Sequence, residues 1–177
     1  MASKAERTHE YILEKVAPVF NKYGYSGTSM ADITRVTGLT KGAIYGNFEN
    51  KEELAVKAFN YNIRKVMSVL TEKVEQFTSP RQRLVAILDF YREYYTMTIA
   101  FGGCPVINVG VDANFQNPMM LERVKQVIAK LKGNIRTILD AGIEAGEFRK
   151  DLDTDRYAGR FFAAIEGSIF LVVTLDS

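Results

Sequence analysis

Apolar residues recur at helical spacing along nearly the whole chain, and no segment shows the sustained alternation of apolar and polar residues that is typical of a β-strand. The first series is Ile12, Val16, Phe20 and Tyr23, whose steps of four, four and three residues place an apolar face on one side of a helix. Longer series of the same kind follow, separated by glycine, proline and capping residues. The pattern predicts an all-α protein.

Capping signals divide the chain into short helices followed by long ones. Gly24 predicts the end of the first helix and Gly38 the end of a short second helix. Thr40 starts a third helix at once, and Asn50 with Glu53 starts a long fourth. Later start signals are Ser79-Pro80, Asn117-Pro118 and Asp153. We therefore predict a three-helix head in residues 1–50 and a larger helical bundle in residues 51–177, with about nine helices in total.

Two further expectations concern the bundle. On the helix that starts at Ser79-Pro80, the predicted apolar face consists of Leu84, Leu88, Tyr91 and Tyr95. Residues 102–117 mix glycine, aspartate and asparagine with short aliphatic runs, so we expect this segment to be the least regular part of the chain.

Composition excludes several classes of protein. Apolar residues make up 47% and charged residues 25% of the 177 residues, and the net charge of +2 does not by itself indicate a nucleic-acid partner. The chain contains one cysteine (Cys104) and one histidine (His9). With so few of these residues, a disulfide framework, a metal site and a Ser-His-Asp triad are all disfavoured. The N-terminus lacks an apolar signal sequence, and the longest apolar run is too short to span a bilayer. We expect a cytoplasmic protein without metal, cofactor or membrane partner.

The most informative motif lies in residues 28–54, which read as two short helices joined by a tight turn at Gly38. The residues that hold the pair together are expected to be Ile33, Val36, Ile44 and Phe48. Such a pair places one helix in a DNA major groove while the other crosses the backbone. Ordinary helical hairpins share this abstract pattern, so the pattern alone does not identify a DNA-binding protein.

The residues of the motif closely resemble the DNA-binding domain of the TetR family of transcriptional repressors. The matching residues are Thr28, Ile33, Gly38, Leu39, Thr40, Lys41, Gly42, Tyr45, Phe48, Lys51 and Leu54. The resemblance extends to the first helix and covers about 55 residues. The chain departs from the common family residues at Thr34, Thr37, Asn47 and Glu49-Asn50. The resemblance implies that residues 1–50 bind DNA and that residues 51–177 bind a ligand and dimerise.

The resemblance also implies which residues contact DNA, and their chemistry agrees with it. The candidates are Thr28, Thr40, Lys41, Gly42, Ala43, Tyr45, Asn47 and Lys51. Hydroxyl and ammonium groups suit phosphates, whereas Ala43 and Asn47 suit base edges. Gly42 and Gly46 are expected to be interior helix glycines, and we interpret them as clearance that lets the helix lie deep in the groove. The alternative is that these lysines and Asn47 are merely solvated surface. His9 is expected at the surface or on the DNA backbone.

For the second half, the resemblance implies a small-molecule site and a homodimer. The candidate ligand-binding residues are Phe90, Tyr91, Tyr94, Tyr95, Met97, Phe101, Cys104, Phe161, Phe162 and Ile165. Clustered tyrosines give an apolar wall with polar tips, although the same residues also suit a bundle core. The two long C-terminal helices are the predicted dimer interface, because small residues on the last helix allow another helix to approach; they are Ala158, Gly159, Ala163, Ala164 and Gly167. Packing within one chain is the alternative.

The resemblance implies a ligand-responsive regulator, not an enzyme, that binds a palindromic operator as a homodimer, acts most simply as a repressor, and is released by a small molecule. Two alternatives remain: a helical ligand-binding protein that does not read DNA, and a redox sensor or enzyme based on Cys104, which has no His or acid partner nearby in the sequence. The sequence leaves open the effector, the operator, the regulated genes, activation rather than repression, and whether the native chain continues past Ser177.

Overall fold

The computed structural model describes residues 3–100, 102–114 and 116–175, with side chains described throughout these ranges except at residues 95–100. All of the regular structure in these ranges is helical, which confirms the predicted all-α class, and there are eight helices where we predict about nine. The helices are α1 (Lys4–Tyr23), α2 (Met30–Thr37), α3 (Lys41–Tyr45), α4 (Lys51–Glu75), α5 (Pro80–Ala100), α6 (Pro105–Ala113), α7 (Pro118–Glu144) and α8 (Thr154–Leu175).

Local capping chemistry fixes the ends of the first three helices. The Ser29 hydroxyl accepts a hydrogen bond from the Asp32 N–H at 3.2 Å, and the Asp32 carboxylate accepts one from the Ser29 N–H at 3.0 Å. The Ser29 hydroxyl also donates to the Asp32 carboxylate at 2.6 Å, and this bond, together with the one from the Ser29 N–H, lowers the pKa of Asp32. Gly24 and Gly38 have φ angles of 72° and 68°, in the region that favours glycine, and they end α1 and α2. The predicted ends of α1 at Gly24 and of α2 at Gly38 are confirmed.

Residues 102–117 are more regular than their composition predicts, because they contain α6. Pro105 occupies the first helical position, where its missing N–H costs nothing. Val106, Val109 and Ala113 are buried at steps of three and four residues, which is the spacing of a helical face. Gly110, inside this short helix, interrupts the pattern that would have indicated it. The expectation of an irregular segment is therefore wrong for residues 105–113.

Two predicted apolar faces also need correction. Tyr23 is 56% exposed, so the buried face of α1 ends at Phe20. On α5, Leu88 is 44% exposed, and the helix buries Ala86, Ile87, Phe90 and Tyr94 instead. An aromatic or aliphatic residue lies at nearly every second position of this helix, so spacing alone does not select the buried face. Tyr95 lies outside the described side chains.

The chain divides into two compact units. The head unit consists of Met1–Lys65 and Pro105–Arg123, and the body unit consists of Val66–Cys104 and Val124–Ser177. In the head unit α1 packs against α2 and α6, and α2 packs against α3. In the body unit α5 packs against α8. Helix α6 therefore belongs to the head unit, although it follows α5 in the chain.

Candidate DNA-binding surface and effector cavity

Helix α3 is a single turn held in place by two apolar side chains. Ile44 is fully buried and Phe48, just beyond the helix, is 2% exposed. The Thr40 hydroxyl caps the helix by accepting a hydrogen bond from the Ala43 N–H at 3.2 Å. The outward face is exposed and consists of Thr40, Lys41, Gly42, Ala43, Tyr45 and Gly46. The head unit thus presents the Lys41 ammonium group, the Tyr45 phenol and the Thr40 hydroxyl around a low, glycine-containing surface.

The two glycines of α3 are not demanded by the fold of the head unit. A Cβ atom at Gly42 would meet only the Thr40 Oγ1 atom, at 3.9 Å, and one at Gly46 would lie 3.4 Å from the Gly42 carbonyl oxygen. Gly46 has an ordinary φ of −72° and forms the C-cap of α3, so the expectation that it is an interior helix glycine is wrong. Because neither internal crowding nor backbone strain requires glycine here, clearance for an external partner remains the interpretation.

Thr34 and Thr37, two of the departures from the family that the sequence resembles, are accommodated inside α2. Thr37 is 3% exposed, and its hydroxyl donates to the Ile33 carbonyl at 2.7 Å. The Tyr11 hydroxyl donates to the Thr37 carbonyl at 2.9 Å, which joins α1 to the end of α2. The Thr34 hydroxyl donates to the Ala31 carbonyl at 2.9 Å. Both threonines satisfy their polar groups locally and leave the outward face of α3 unchanged.

Thr28 is not available to DNA, and the predicted phosphate contact by this residue is wrong. Its side chain is 1% exposed, and its hydroxyl donates to the Gly24 carbonyl at 2.7 Å. Thr28 instead holds the turn between α1 and α2 in shape. Asn47 is half-buried, and its amide nitrogen donates to the Ala43 carbonyl at 2.9 Å. Base reading by Asn47 would use its oxygen and its second N–H hydrogen.

Lys51 has a partner within the head unit. Its ammonium nitrogen donates to the Tyr25 carbonyl at 2.7 Å and lies 4.2 Å from the centre of the Tyr25 ring. Burial lowers the pKa of Lys51, and the nearby Asp112 carboxylate acts in the opposite sense. This ammonium group ties the turn after α1 to the start of α4. A phosphate contact by Lys51 stays a prediction.

The end of α1 and the turn that follows it are held by hydrogen bonds with three polar side chains. The sequence analysis did not select these residues. The Asn108 amide donates to the Asn21 carbonyl at 3.0 Å, the Asp112 carboxylate accepts from the Tyr25 N–H at 2.7 Å, and the Gln116 side chain accepts from the Ser26 hydroxyl at 2.8 Å. The polar stripe formed by Asn108, Asp112 and Gln116 repeats every fourth residue, and this spacing was the available signal. A Cβ atom at Gly24 would lie 2.6 Å from the Asp112 carboxyl group, so close approach requires glycine there.

His9 packs against Phe48, just beyond α3, and is not fully solvent-exposed. Its ring stacks on Phe48 with 4.4 Å between ring centres and an interplanar angle of 27°. The side chain is half-buried. His9 therefore supports the same phenylalanine that anchors the end of α3, and a contact with the DNA backbone stays a prediction.

The body unit encloses a partly open cavity of about 400 Å³. Its volume lies within the usual range for small-molecule sites. The lining residues come from α4, α5, α7 and α8 and are Met67, Leu70, Thr71, Val74, Glu75, Arg83, Ile87, Tyr91, Leu131, Asn134, Ile135, Thr137, Ile138, Phe162 and Ile165. Nine of them are aliphatic, methionine or phenylalanine, so an apolar ligand body would be well matched.

The cavity contains three of the predicted ligand-binding residues, namely Tyr91, Phe162 and Ile165. Phe90 and Tyr94 are buried and stack on each other at 5.2 Å, and they are not among its lining residues; nor are Cys104 and Phe161. Phe161 packs against the buried cluster of Ile135, Leu139 and Ala158. The predicted Tyr95, Met97 and Phe101 lie outside the described side chains. The contributions of α4 and α7 were missed because their apolar stripes look like ordinary core.

A half-buried acidic group, Glu166, follows the cavity-lining Ile165 on α8. Burial raises the pKa of Glu166, and a hydrogen bond from Cys104 acts in the opposite sense. Burial, with the nearby Cys104, Glu166 and Tyr94, raises the pKa of Tyr91, which is therefore a neutral hydrogen-bond donor at physiological pH. The fold thus supplies Cys104 with an acid partner that the local sequence lacks. Among the described residues, no group of three or more His, Cys, Asp or Glu side chains is placed to hold a metal ion.

A helix-turn-helix head joined to a helical unit with a ligand-sized cavity defines a class of one-component DNA-binding regulators. Two family models match the chain: "Bacterial regulatory proteins, tetR family" over residues 12–58 and "Tetracyclin repressor-like, C-terminal domain" over residues 80–177. The chain belongs to the TetR family and functions in ligand-responsive transcriptional regulation. Regulators of this family are soluble cytoplasmic proteins that bind DNA and small-molecule effectors as dimers and are generally not enzymes.

Similar proteins cover almost the whole chain. A crystal structure of a TetR family regulator from Cytophaga hutchinsonii is 39% identical with a TM-score of 0.92, over 100% of this chain and 88% of that one. A TetR regulator from Chloroflexus aurantiacus is 37% identical, also with a TM-score of 0.92, over 98% and 88% of the two chains. The transcriptional repressor DhaR from Mycobacterium sp. (strain GP1) is 24% identical, over 90% of this chain and 79% of DhaR.

Proposed function

We propose that this protein is a repressor that binds a palindromic operator as a homodimer and leaves it when a small molecule occupies the body-unit cavity. The observation that carries the proposal is the outward face of α3, which is exposed around Lys41 and Tyr45 while Ile44 and Phe48 fix the helix from behind. Each copy would insert α3 into a major groove, with the two half-sites about one helical turn apart. Because the operator is chromosomal DNA, we place the protein in the cytoplasm.

The surface of α8 supports dimerisation through the two C-terminal long helices. Along one side of α8, Ala163, Ala164, Gly167 and Leu171 are exposed at steps of one, three and four residues, and Phe170 beside them is 54% exposed. By length and composition alone α8 could cross a membrane, and 17% of its most apolar window is buried. A helix that pairs with a second copy has the same composition, because its apolar face is buried only in the dimer. We propose that α7 and α8 pair with their copies in a four-helix interface.

Selection of bound genomic fragments tests the proposed function. Purified protein is mixed with sheared DNA from its source, and the retained fragments are sequenced. We expect a short palindrome shared by the retained fragments, with half-sites separated by one helical turn, because a two-fold dimer imposes its symmetry on the site. Genes beside the palindrome should be expressed more strongly when the regulator gene is deleted. Retention without any shared sequence, or a drop in expression on deletion, would contradict operator-specific repression.

Coupling between the cavity and the head is proposed to run through α6. This helix follows α5 directly in the chain, and its stripe of Asn108 and Asp112, continued by Gln116, holds the turn that positions α2. Gly102 and Gly103, with φ angles of 81° and 108°, link α5 to α6 through backbone conformations that favour glycine. We propose that a displacement of α5 by a ligand is passed along the chain to α6, whose hydrogen bonds within the head unit hold the α1–α2 turn.

Replacement of Asp112 by alanine is expected to loosen this turn. The Tyr25 N–H would lose a charged acceptor, and a hydrogen bond to a charged group contributes about 1.5–3 kcal/mol, so the free energy of unfolding should fall by about that amount. Amide hydrogen exchange at Tyr25 should accelerate, as measured by mass spectrometry. Asp89→Ala, on the exposed side of α5, is the control and should leave both measurements unchanged. Unaltered exchange at Tyr25 in Asp112→Ala would show that α6 does not hold the turn.

A further inference from the structure

The two ends of the body-unit cavity differ chemically, and this difference identifies a class of effector. Arg83 and Glu75 lie at one end, where α4 finishes and α5 begins. Tyr91 lies two turns further along α5, about 12 Å away at 1.5 Å per residue. We propose that the effector is an elongated monocarboxylate. Its carboxylate would bind the guanidinium group of Arg83, and its apolar tail would lie along the body-unit cavity towards Tyr91. This inference rests on the proposed function only in taking the cavity as the effector site.

Arg83 is held ready for an anion. Its Nε–H donates to the Phe77 carbonyl at 2.8 Å, which fixes the guanidinium group at the turn between α4 and α5. Within the described ranges no carboxylate lies within ion-pair distance of Arg83, so its two terminal nitrogens have no acidic partner there. A planar fork of N–H groups matches a carboxylate in two parallel hydrogen bonds. Since the side chain is already anchored, little conformational entropy is lost when the ligand binds.

Glu75 is the competing charge at the same end. Its side chain is exposed, whereas Arg83 is half-buried. Solvent and salt screen an exposed charge more strongly than a half-buried one, so the positive charge of Arg83 dominates inside the cavity. Apart from Glu75 and Arg83 the described lining of the cavity contains no charged side chain, which favours an uncharged tail; its other polar members are Thr71, Tyr91, Asn134 and Thr137. Val74, Ile87 and Ile135 follow the charged end, and Phe162 and Ile165 lie on α8. A ligand charged at both ends would leave its second charge without an oppositely charged partner in this described lining.

Isothermal titration calorimetry with three ten-carbon probes tests the assignment. The probes are decanoate, decanol and decylammonium, which share a tail and differ in head group; the two ionic probes are used below their critical micelle concentrations and decanol below its solubility limit. We expect decanoate to bind at least about tenfold more tightly than the other two, because only it accepts hydrogen bonds from the guanidinium group as an anion. Tightest binding of decylammonium would assign the charged end to Glu75 and overturn the proposal. Equal binding of all three probes would show that the cavity binds apolar tails without selecting a head group, and this result would overturn the proposal as well.

Matched variants locate the head group. Arg83→Gln should weaken decanoate binding by at least about tenfold and leave decanol unchanged, and Arg83→Lys should give an intermediate loss, because lysine keeps the charge without the fork. Arg81→Gln, an exposed neighbour outside the cavity, is the control and should bind like the unaltered protein. Glu75→Gln should strengthen decanoate binding. If decanoate binding is unchanged in both Arg83 variants, the role of this arginine is only to stabilise the α4–α5 turn through its hydrogen bond to the Phe77 carbonyl, and the proposal is overturned. Circular dichroism melting establishes that each variant is folded.

The same samples separate this inference from the proposed function. Gel shifts with the selected operator measure DNA binding, and the calorimetry measures ligand binding without DNA. Operator binding that decanoate does not relieve, together with no decanoate binding, would overturn the effector class and leave the repressor function standing. Decanoate binding dependent on Arg83 in a protein that shifts no operator would overturn the repressor function and leave the ligand site standing.

Discussion

Lys41→Ala is expected to weaken operator binding by about 100-fold while leaving the head unit folded. The side chain is exposed at the start of α3 and makes no ion pair in the described ranges, so its removal breaks no internal contact of that kind. A homodimer carries two copies, and two lost phosphate contacts of somewhat more than 1 kcal/mol each correspond to about that factor. Fluorescence anisotropy with the selected operator measures the change.

The salt dependence gives a sharper reading of the same variant. Each phosphate that a lysine neutralises contributes about 0.9 to the slope of log affinity against log salt concentration, so Lys41→Ala should lower the slope by about 2 per dimer. Tyr45→Ala, which removes an exposed phenol, should weaken binding without changing the slope, because a phenol carries no charge. Lys22→Ala is the control, since Lys22 is an exposed lysine that belongs to α1 and not to α3.

Two outcomes would contradict this assignment of the recognition helix. Operator affinity that is unchanged in both Lys41→Ala and Tyr45→Ala would show that α3 does not face DNA. A fall in affinity with an equal loss in Lys22→Ala would indicate general electrostatic attraction to DNA, without a positioned contact. Melting temperatures of the three variants should agree with that of the unaltered protein, because all three side chains are exposed.

Much of the head could be predicted from the sequence because its structure is set by short-range chemistry. The capping pair of Ser29 and Asp32 and the glycines at 24 and 38 act over three or four residues, and each marks a helix end in the structure. The same locality also explains the wrong prediction for Thr28. By residue type and position Thr28 fits a phosphate contact. Its burial depends on how the turn after α1 packs, which the local sequence does not show.

Long-range packing accounts for what could not be predicted. Asp112 meets Tyr25 across 87 residues of sequence, and no local pattern announces that contact. The cavity likewise combines residues of four helices, so the tyrosine cluster on α5 indicated only one wall. Phe90 and Tyr94 are aromatic, as Tyr91 is, but they point in other directions around α5 and are buried in the core. Helical spacing identifies faces, whereas the partner of each face is decided by the fold.

Gly167→Arg is expected to convert the dimer into a folded monomer and to reduce operator affinity by at least about 100-fold. A Cβ atom at Gly167 would have no neighbour within 4 Å in the chain, so an arginine can be accommodated by the isolated protomer. In the proposed interface the same position lies between small residues that let two helices approach closely, and a long charged side chain would force them apart. Because both half-sites are read by one dimer, the gain from binding two linked heads would be lost.

Sedimentation velocity and the operator titration together decide the outcome. Val85→Arg is the matched control, since Val85 is 50% exposed on α5 and lies outside the proposed interface, so this variant should remain dimeric and bind the operator normally. A dimeric Gly167→Arg protein would move the interface away from α8 and leave the exposed Phe170 and Leu171 without a partner in the assembly. A monomer that keeps full operator affinity would contradict the two-headed model instead. The proposed arrangement requires the two losses to occur together, because the spacing of the heads exists only in the dimer.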